Sequence, residues 1–136
     1  MIRPIAVEDI PWVMSLAHER YQGFDPGGAL QALATAMRLP TALAWRDDHA
    51  FLVGNITQTL WYPKRRQFEV LAICAEEGHH WQAVALLRAS AKWARAEGCA
   101  RWTVNSDTDH PVGALAERFG AKAVPHYVID FTEGSP

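Results

Sequence analysis

The sequence predicts one α+β domain built on a mixed β-sheet, and three observations lead there. Short apolar runs rich in branched residues alternate with longer stretches whose apolar residues recur every three or four positions. Thr41–Arg46 and Ala50–Leu60 read as strands joined by the turn residues Asp47-Asp48-His49, an antiparallel hairpin. A strand over Gln67–Cys74 passes through a polar break into a helical stretch, Trp81–Glu97, and on to a second strand, Arg101–Ser106. Such a βαβ crossover joins parallel strands, here expected to splay apart at their C-terminal ends. Antiparallel and parallel pairings in one chain make the sheet mixed.

Taken in order, Ile2–Ala6 reads as a first strand. Glu8 and Asp9 put negative charge in the first turn of a helix, where the helix dipole favours it, and Pro11 is tolerable only that early. Ile10, Val13, Met14, Ala17 and Tyr21 form its expected buried stripe. Gln22–Gly28 reads as a loop, and Leu30, Leu33, Ala34 and Met37 mark a shorter second helix halted by Pro40. Gly54 inside the third strand is a candidate bulge. In the third helix Val84, Leu87, Ala91 and Ala94 share one face, Arg88, Lys92 and Arg95 the other, and Gly98 stands at the usual left-handed cap. Pro111–Phe119 gives a fourth helix and Tyr127–Phe131 a last strand, with 131–136 as a frayed tail. The order is βααβββαβαβ over a single domain, 1–136.

Composition narrows the function classes. Apolar residues make up 49% and charged residues 21%, ordinary for a globular chain, and a net charge of −2 gives no general attraction to nucleic acid or anionic membrane. Lys64-Arg65-Arg66 is a basic run without an aromatic set around it, so a solvated turn is expected there. No apolar run reaches spanning length and no secretory leader is evident, so a cytoplasmic protein is expected. Cys74 and Cys99, the two cysteines, are expected as free thiols.

The segment Asp109-His110-Pro111-Val112-Gly113-Ala114-Leu115-Ala116-Glu117-Arg118-Phe119-Gly120-Ala121 resembles the fourth-helix signature of the GNAT superfamily of N-acetyltransferases, N-x-x-A-x-x-L-Y-E-K-x-G-F. Leu115, Glu117, Arg118 and Gly120 fit it; Asp109, Val112, Ala116 and Ala121 depart. Ile2-Arg3-Pro4 and Glu8-Asp9-Ile10-Pro11 look like a GNAT first strand and helix, and the element order is that of the family. The resemblance implies a sheet with helices on both faces, and acyl transfer from acetyl-coenzyme A to an amine, small-molecule or protein. Tyr21, Phe24 and Asp25 fall where the family builds a wall of the acceptor cleft. Small proteins of this look also occur among bacteriophage genes. A catalytically inactive binding or assembly module, a virion or accessory component, is therefore the alternative.

The resemblance also assigns site residues. The family holds the cofactor's pyrophosphate with R/Q-x-x-G-x-G/A at the start of the third helix; here that place is Glu76-Glu77-Gly78-His79-His80-Trp81-Gln82-Ala83. Gly78, His79, His80, Trp81 and Gln82 are the phosphate-side candidates, and Leu71, Ile73 and Asn105 the candidates along the strands. With one glycine, no basic residue and two acidic ones, the loop is expected to bind acetyl-coenzyme A more weakly than the full motif. Glu69 is the candidate base, or else a partner of Lys64, Arg65 or Arg66. Ala116 replaces the tyrosine that protonates the leaving thiolate; Tyr127 and Ser106 are distant substitutes. Glu77, His79 and His80 have no third His or Cys at a familiar spacing, so no metal site is expected. Cys74 with His80 is a nucleophile pair on paper only. Trp61 and Trp81, among the six tryptophans, occupy places unlike core positions and are candidate anchors for self-association or a protein partner.

Overall fold

The computed structural model describes residues 1–21, 23–58, 60, 63–105, 113–124 and 129. Five strands, β1 (Arg3–Pro4), β2 (Ala42–Arg46), β3 (Ala50–Gln58), β4 (Arg66–Ala75) and β5 (Arg101–Val104), lie side by side in chain order. The first three pairings are antiparallel and the β4–β5 pairing is parallel, so the sheet is mixed as the hairpin and crossover predict. Asp47 makes the β2–β3 hairpin turn, its Oδ1 accepting the N–H groups of His49 and Ala50, both at 2.8 Å.

Alternation along β3 divides the interior in two. Ala50 and Leu52 point to the face covered by α3 (His80–Ala96), where Phe68, Leu86 and Leu87 are fully buried with them. Phe51 and Val53 point to the opposite face, under α1 (Ile10–Arg20) and α2 (Pro26–Ala36), with Val13, Leu16 and Leu33. Ser90, buried in α3, accepts a hydrogen bond from Trp102 Nε1 at 2.9 Å, and Trp102 meets Phe119 edge-on. This pair fastens β5 and the segment after α4 (Gly113–Glu117) to α3.

The ladder between β3 and β4 is interrupted. Val53 pairs with Ala72 and Gly54 with Val70, so Leu71 is an extra residue with no partner on β3, a β-bulge. Gly54 permits it: a Cβ there would lie 2.8 Å from the Glu69 carbonyl oxygen and overlap the buried Phe68 ring. The bulge also shifts the alternation of β4. Phe68, Val70 and Ile73 face α3, while Ala72 and Cys74 pack towards α1 and α2.

Several sequence boundaries need correction. α2 begins at Pro26, inside the stretch read as a loop, because the fixed φ of proline suits the first helical position and its missing N–H is not needed there. Leu33 is its buried residue; Leu30, expected on the same buried stripe, is 43% exposed. In α1, Leu16 joins Val13 and Ala17 in the core, while Ile10, Met14 and Tyr21 are half-buried. The predicted last strand, Tyr127–Phe131, lies outside the described residues apart from Ile129.

A buried carboxylate ties the sheet edge to the helices. Asp9, which the sequence suggests only as a dipole partner, accepts two bonds from Arg3 at 2.8 and 3.2 Å, one from Ala6 N–H at 2.8 Å and one from Arg46 Nη1 at 3.0 Å. Arg46 also lies 3.7 Å over the Trp12 ring and bonds the carbonyls of Asp47 and Asp48. The bonds from Arg3, then that from Ala6, hold the Asp9 carboxyl well below the usual carboxylate range. The unfolded chain therefore takes up this proton first, and the contribution of Asp9 is present above about pH 3.8 and lost as pH falls further. Asp9→Ala, which strands the buried Arg46, is expected to cost about 3 kcal/mol in urea unfolding at pH 7. The deficit should shrink as both proteins are taken to pH 3.

Candidate functional site

β5 accompanies β4 only from Gln67 to Val70, where the last pair is Val70 with Val104. From Leu71 to Ala75 the β5 side of β4 has no strand partner among the described residues. The two strands thus part where the bulge falls, and a recess of about 240 Å³ opens between them. It is lined by Tyr21, Glu69, Val70, Leu71, Ala72, Ile73, Val104 and Asn105. Four predicted site residues, Glu69, Leu71, Ile73 and Asn105, therefore meet in one place.

Their roles there differ. Glu69 is half-buried, and among the described residues its carboxylate forms no ion pair with Lys64, Arg65 or Arg66. Arg66 turns instead to the Glu97 carbonyl at the end of α3. Leu71 is 59% exposed, pushed out by the bulge. The Ile73 side chain is buried in the α3-side core, so only its backbone reaches the recess. Tyr21 Oη stands 3.3 Å from both Ile73 N and Ile73 O, accepting from one and donating to the other. Asn105, just past the end of β5, is exposed at the rim.

The phosphate-side candidates follow the C-terminal end of β4. Gly78 takes φ +82°, which a side chain would resist, and nothing lies within 4 Å of where its Cβ would be. His79 N–H closes the turn onto the Glu76 carbonyl at 3.0 Å, and Gln82 N–H bonds the His79 carbonyl at 3.1 Å. Among the described residues, the N–H groups of Gly78, His80 and Trp81 meet no acceptor. They form a cluster of bare donors at the start of a helix, which is the geometry that receives an anion.

Side chains around this turn are arranged in a way the sequence does not reveal. Glu76 is drawn towards the β2–β3 turn, its Oε1 3.1 Å from His49 Nδ1. His79 stacks on His49 with ring centroids 3.7 Å apart. Glu77 and His80 are exposed, and Trp81 is 59% exposed with the Arg118 guanidinium 4.9 Å from its ring centroid. Arg118, from the segment after α4, thus brings a guanidinium beside the start of α3 where the loop itself has no basic residue. Its place in the fourth-helix signature was visible, but nothing local in the sequence connects it to Trp81.

No group of three or more His, Cys, Asp or Glu side chains suited to a metal ion occurs among the described residues. Ala116 is buried. Trp61, Ser106, Asp109, His110 and Tyr127 lie outside the described residues. Tyr21 and Phe24 line an apolar cavity beside the recess, whereas Asp25 precedes α2 as its N-cap residue.

No protein-family model and no curated protein sequence matches the chain. Solved structures do match it. A transcriptional regulator from Bacillus halodurans C-125 superposes with TM-score 0.78 at 15% identity, covering 96% of this chain and 97% of that one. A protein described as a predicted acetyltransferase from Clostridium acetobutylicum, solved with acetyl-CoA, gives 0.76 at 10% identity over 98% and 97%. A GNAT family acetyltransferase from Staphylococcus aureus gives 0.71 at 11% identity over 96% of each chain. The mixed sheet with parting strands and helices on both faces is the GNAT fold. At these identities the likeness establishes architecture, and activity has to be argued from the cleft.

Cys74 is excluded as a nucleophile by its setting. It is 1% exposed, and burial pushes its thiol up to about 12. Burial also raises the Cys99 thiol, though that residue is only half-buried. Iodoacetamide at pH 8 is expected to label Cys99 while Cys74 stays unmodified until urea unfolds the chain. Labelling of Cys74 in the folded protein would contradict this placement.

Proposed function

We propose that this chain is a GNAT-type N-acetyltransferase that transfers an acetyl group from acetyl-coenzyme A to an amine. The observation that carries the proposal is the recess where β4 and β5 part. It holds a carboxylate without an ion-pair partner among the described residues, a tyrosine hydroxyl and an exposed strand edge. The bare N–H groups of Gly78, His80 and Trp81 lie at the C-terminal end of the same strand.

The residues present fit the cofactor. Its phosphates would rest on those three N–H groups, with Arg118 adding positive charge nearby, and its arm would run along Leu71 and past Asn105. Bound there, acetyl-coenzyme A supplies the activated thioester. Glu69 is placed to take the proton from an ammonium group, leaving a neutral nitrogen with its lone pair free to attack. Tyr21 Oη is the hydroxyl at hand in the recess to give a proton to the departing sulfur and to take back the one that the acetylated nitrogen must lose, a role that Ala116 cannot fill. Its bond to the Ile73 backbone holds the phenol in position meanwhile. Glu77 remains next to the phosphate seat, so binding is weaker than a glycine-rich basic loop would give.

Activity is expected with purified chain, acetyl-coenzyme A and a panel of amines. Glu69→Gln should lower kcat/KM by about 10²- to 10⁴-fold without altering the urea midpoint. Full activity in that variant would refute the assignment of the base.

Affinity provides a separate check. Calorimetry should give a coenzyme A dissociation constant above about 10 μM, the weak end for a phosphate ligand held by several donors. One exposed charge near the phosphates is worth up to about 1 kcal/mol, so Glu77→Gln should tighten binding and Arg118→Ala loosen it by about two- to fivefold each. Unchanged affinity in both variants would place the phosphates elsewhere.

A further inference from the structure

Beside the recess lies a second hollow, of about 310 Å³, between α1, α2 and the sheet. The two share Tyr21, Leu71 and Ala72, so they adjoin at the bulge with only these side chains as a common wall. The lining of the second is predominantly apolar, with Met14, Phe24, Phe51 and Val53 among its walls, and no lining residue carries a charge. Its polar atoms are confined to the backbone and the Tyr21 hydroxyl, which the Ile73 backbone already engages. Ligand pockets fall in the range of about 300–1,000 Å³, and a dry cavity of about 150 Å³ is enough to take up benzene. This hollow has room for an aromatic ring with a short linker.

From this we infer that the acceptor is a primary amine carried on an apolar group, aromatic or branched aliphatic, and not a polycation. The inference rests on the acetyltransferase reading of the recess and names the substrate class of that same site. With the amine nitrogen at Glu69, the rest of the molecule passes Leu71 and Tyr21 into the hollow and is removed from water there. A polyamine would place its further ammonium groups against Phe51 and Val53 with no carboxylate to receive them, and desolvation would oppose it. Cavity and carboxylate together select a molecule with one charge at one end.

Calorimetric titration of the full chain with 2-phenylethylamine, ethylamine and spermidine tests this without acetyl-coenzyme A. Burying the phenyl group should make 2-phenylethylamine bind at least about tenfold more tightly than ethylamine. Spermidine should bind no better than ethylamine. Ala29→Phe, which fills the hollow from α2, should bring 2-phenylethylamine down to the level of ethylamine. Ala32→Phe, nearer the surface of the same helix, should do the same if the first variant fails to fold. Equal affinities, tightest binding of spermidine, or an advantage that survives both substitutions would overturn the inference. Acetyl transfer to the same three amines separates the two levels of the argument. Turnover favouring spermidine would overturn the apolar-acceptor inference and leave the acetyltransferase reading standing. No transfer to any amine, with the binding preference intact, would instead overturn the acetyltransferase reading.

Discussion

The close approach of Gly54 to β4 is the constraint on which the site depends. Where Gly54 meets the Phe68 ring and the Glu69 carbonyl there is no volume for a side chain, and Leu71 is left over in the opposite strand. An extra residue bends a strand and turns the side chains beyond it. Here it places Glu69, Leu71 and Ala72 around one opening while Phe68, Val70 and Ile73 continue to fill the α3-side core. The pairing of β4 with β5 ends at the same point. A regular ladder would have kept the strict alternation and closed the sheet over the place where the cleft lies.

The open N–H groups past the C-terminal end of β4 follow from backbone accounting. A helix leaves its first N–H groups unsatisfied, and in α3 no side chain caps them. Histidines and glutamates near such a seat would ordinarily obstruct or repel a phosphate. The fold moves two of them aside: Glu76 is held by His49, and His79 stacks on the same ring. The β2–β3 turn therefore positions side chains of the loop that precedes α3. Glu77 is left facing solvent, and Arg118 stands near Trp81 on the other side.

Much of the architecture was legible because it follows from local pattern. The strand–helix–strand crossover fixed parallel pairing, the hairpin fixed antiparallel pairing, and an isolated glycine in an apolar strand marked the bulge. Glu69, Leu71, Ile73 and Asn105 were legible as a group through the family resemblance, and the structure places them around one recess. The rest depends on contacts distant in sequence. Asp9 was read as an ordinary residue of a first helical turn, yet its three side-chain and backbone donors include Arg46, 37 residues away. Arg118 near Trp81, and Tyr21 against Ile73, join segments that no periodicity links. The start of α2 was misread because Pro26-Gly27-Gly28 is turn-like in composition, while proline at a first helical position reads the other way.

Whether one ligand spans the strand edge and the helix start is the question on which the functional account turns. Amide chemical shifts of the ¹⁵N-labelled chain, followed as coenzyme A is added to millimolar concentration, address it directly. The account predicts that the largest shifts fall on Gly78, His80 and Trp81 together with Leu71 and Ala72, moving as one saturable set. Shifts confined to another face, or none at millimolar cofactor, would contradict it.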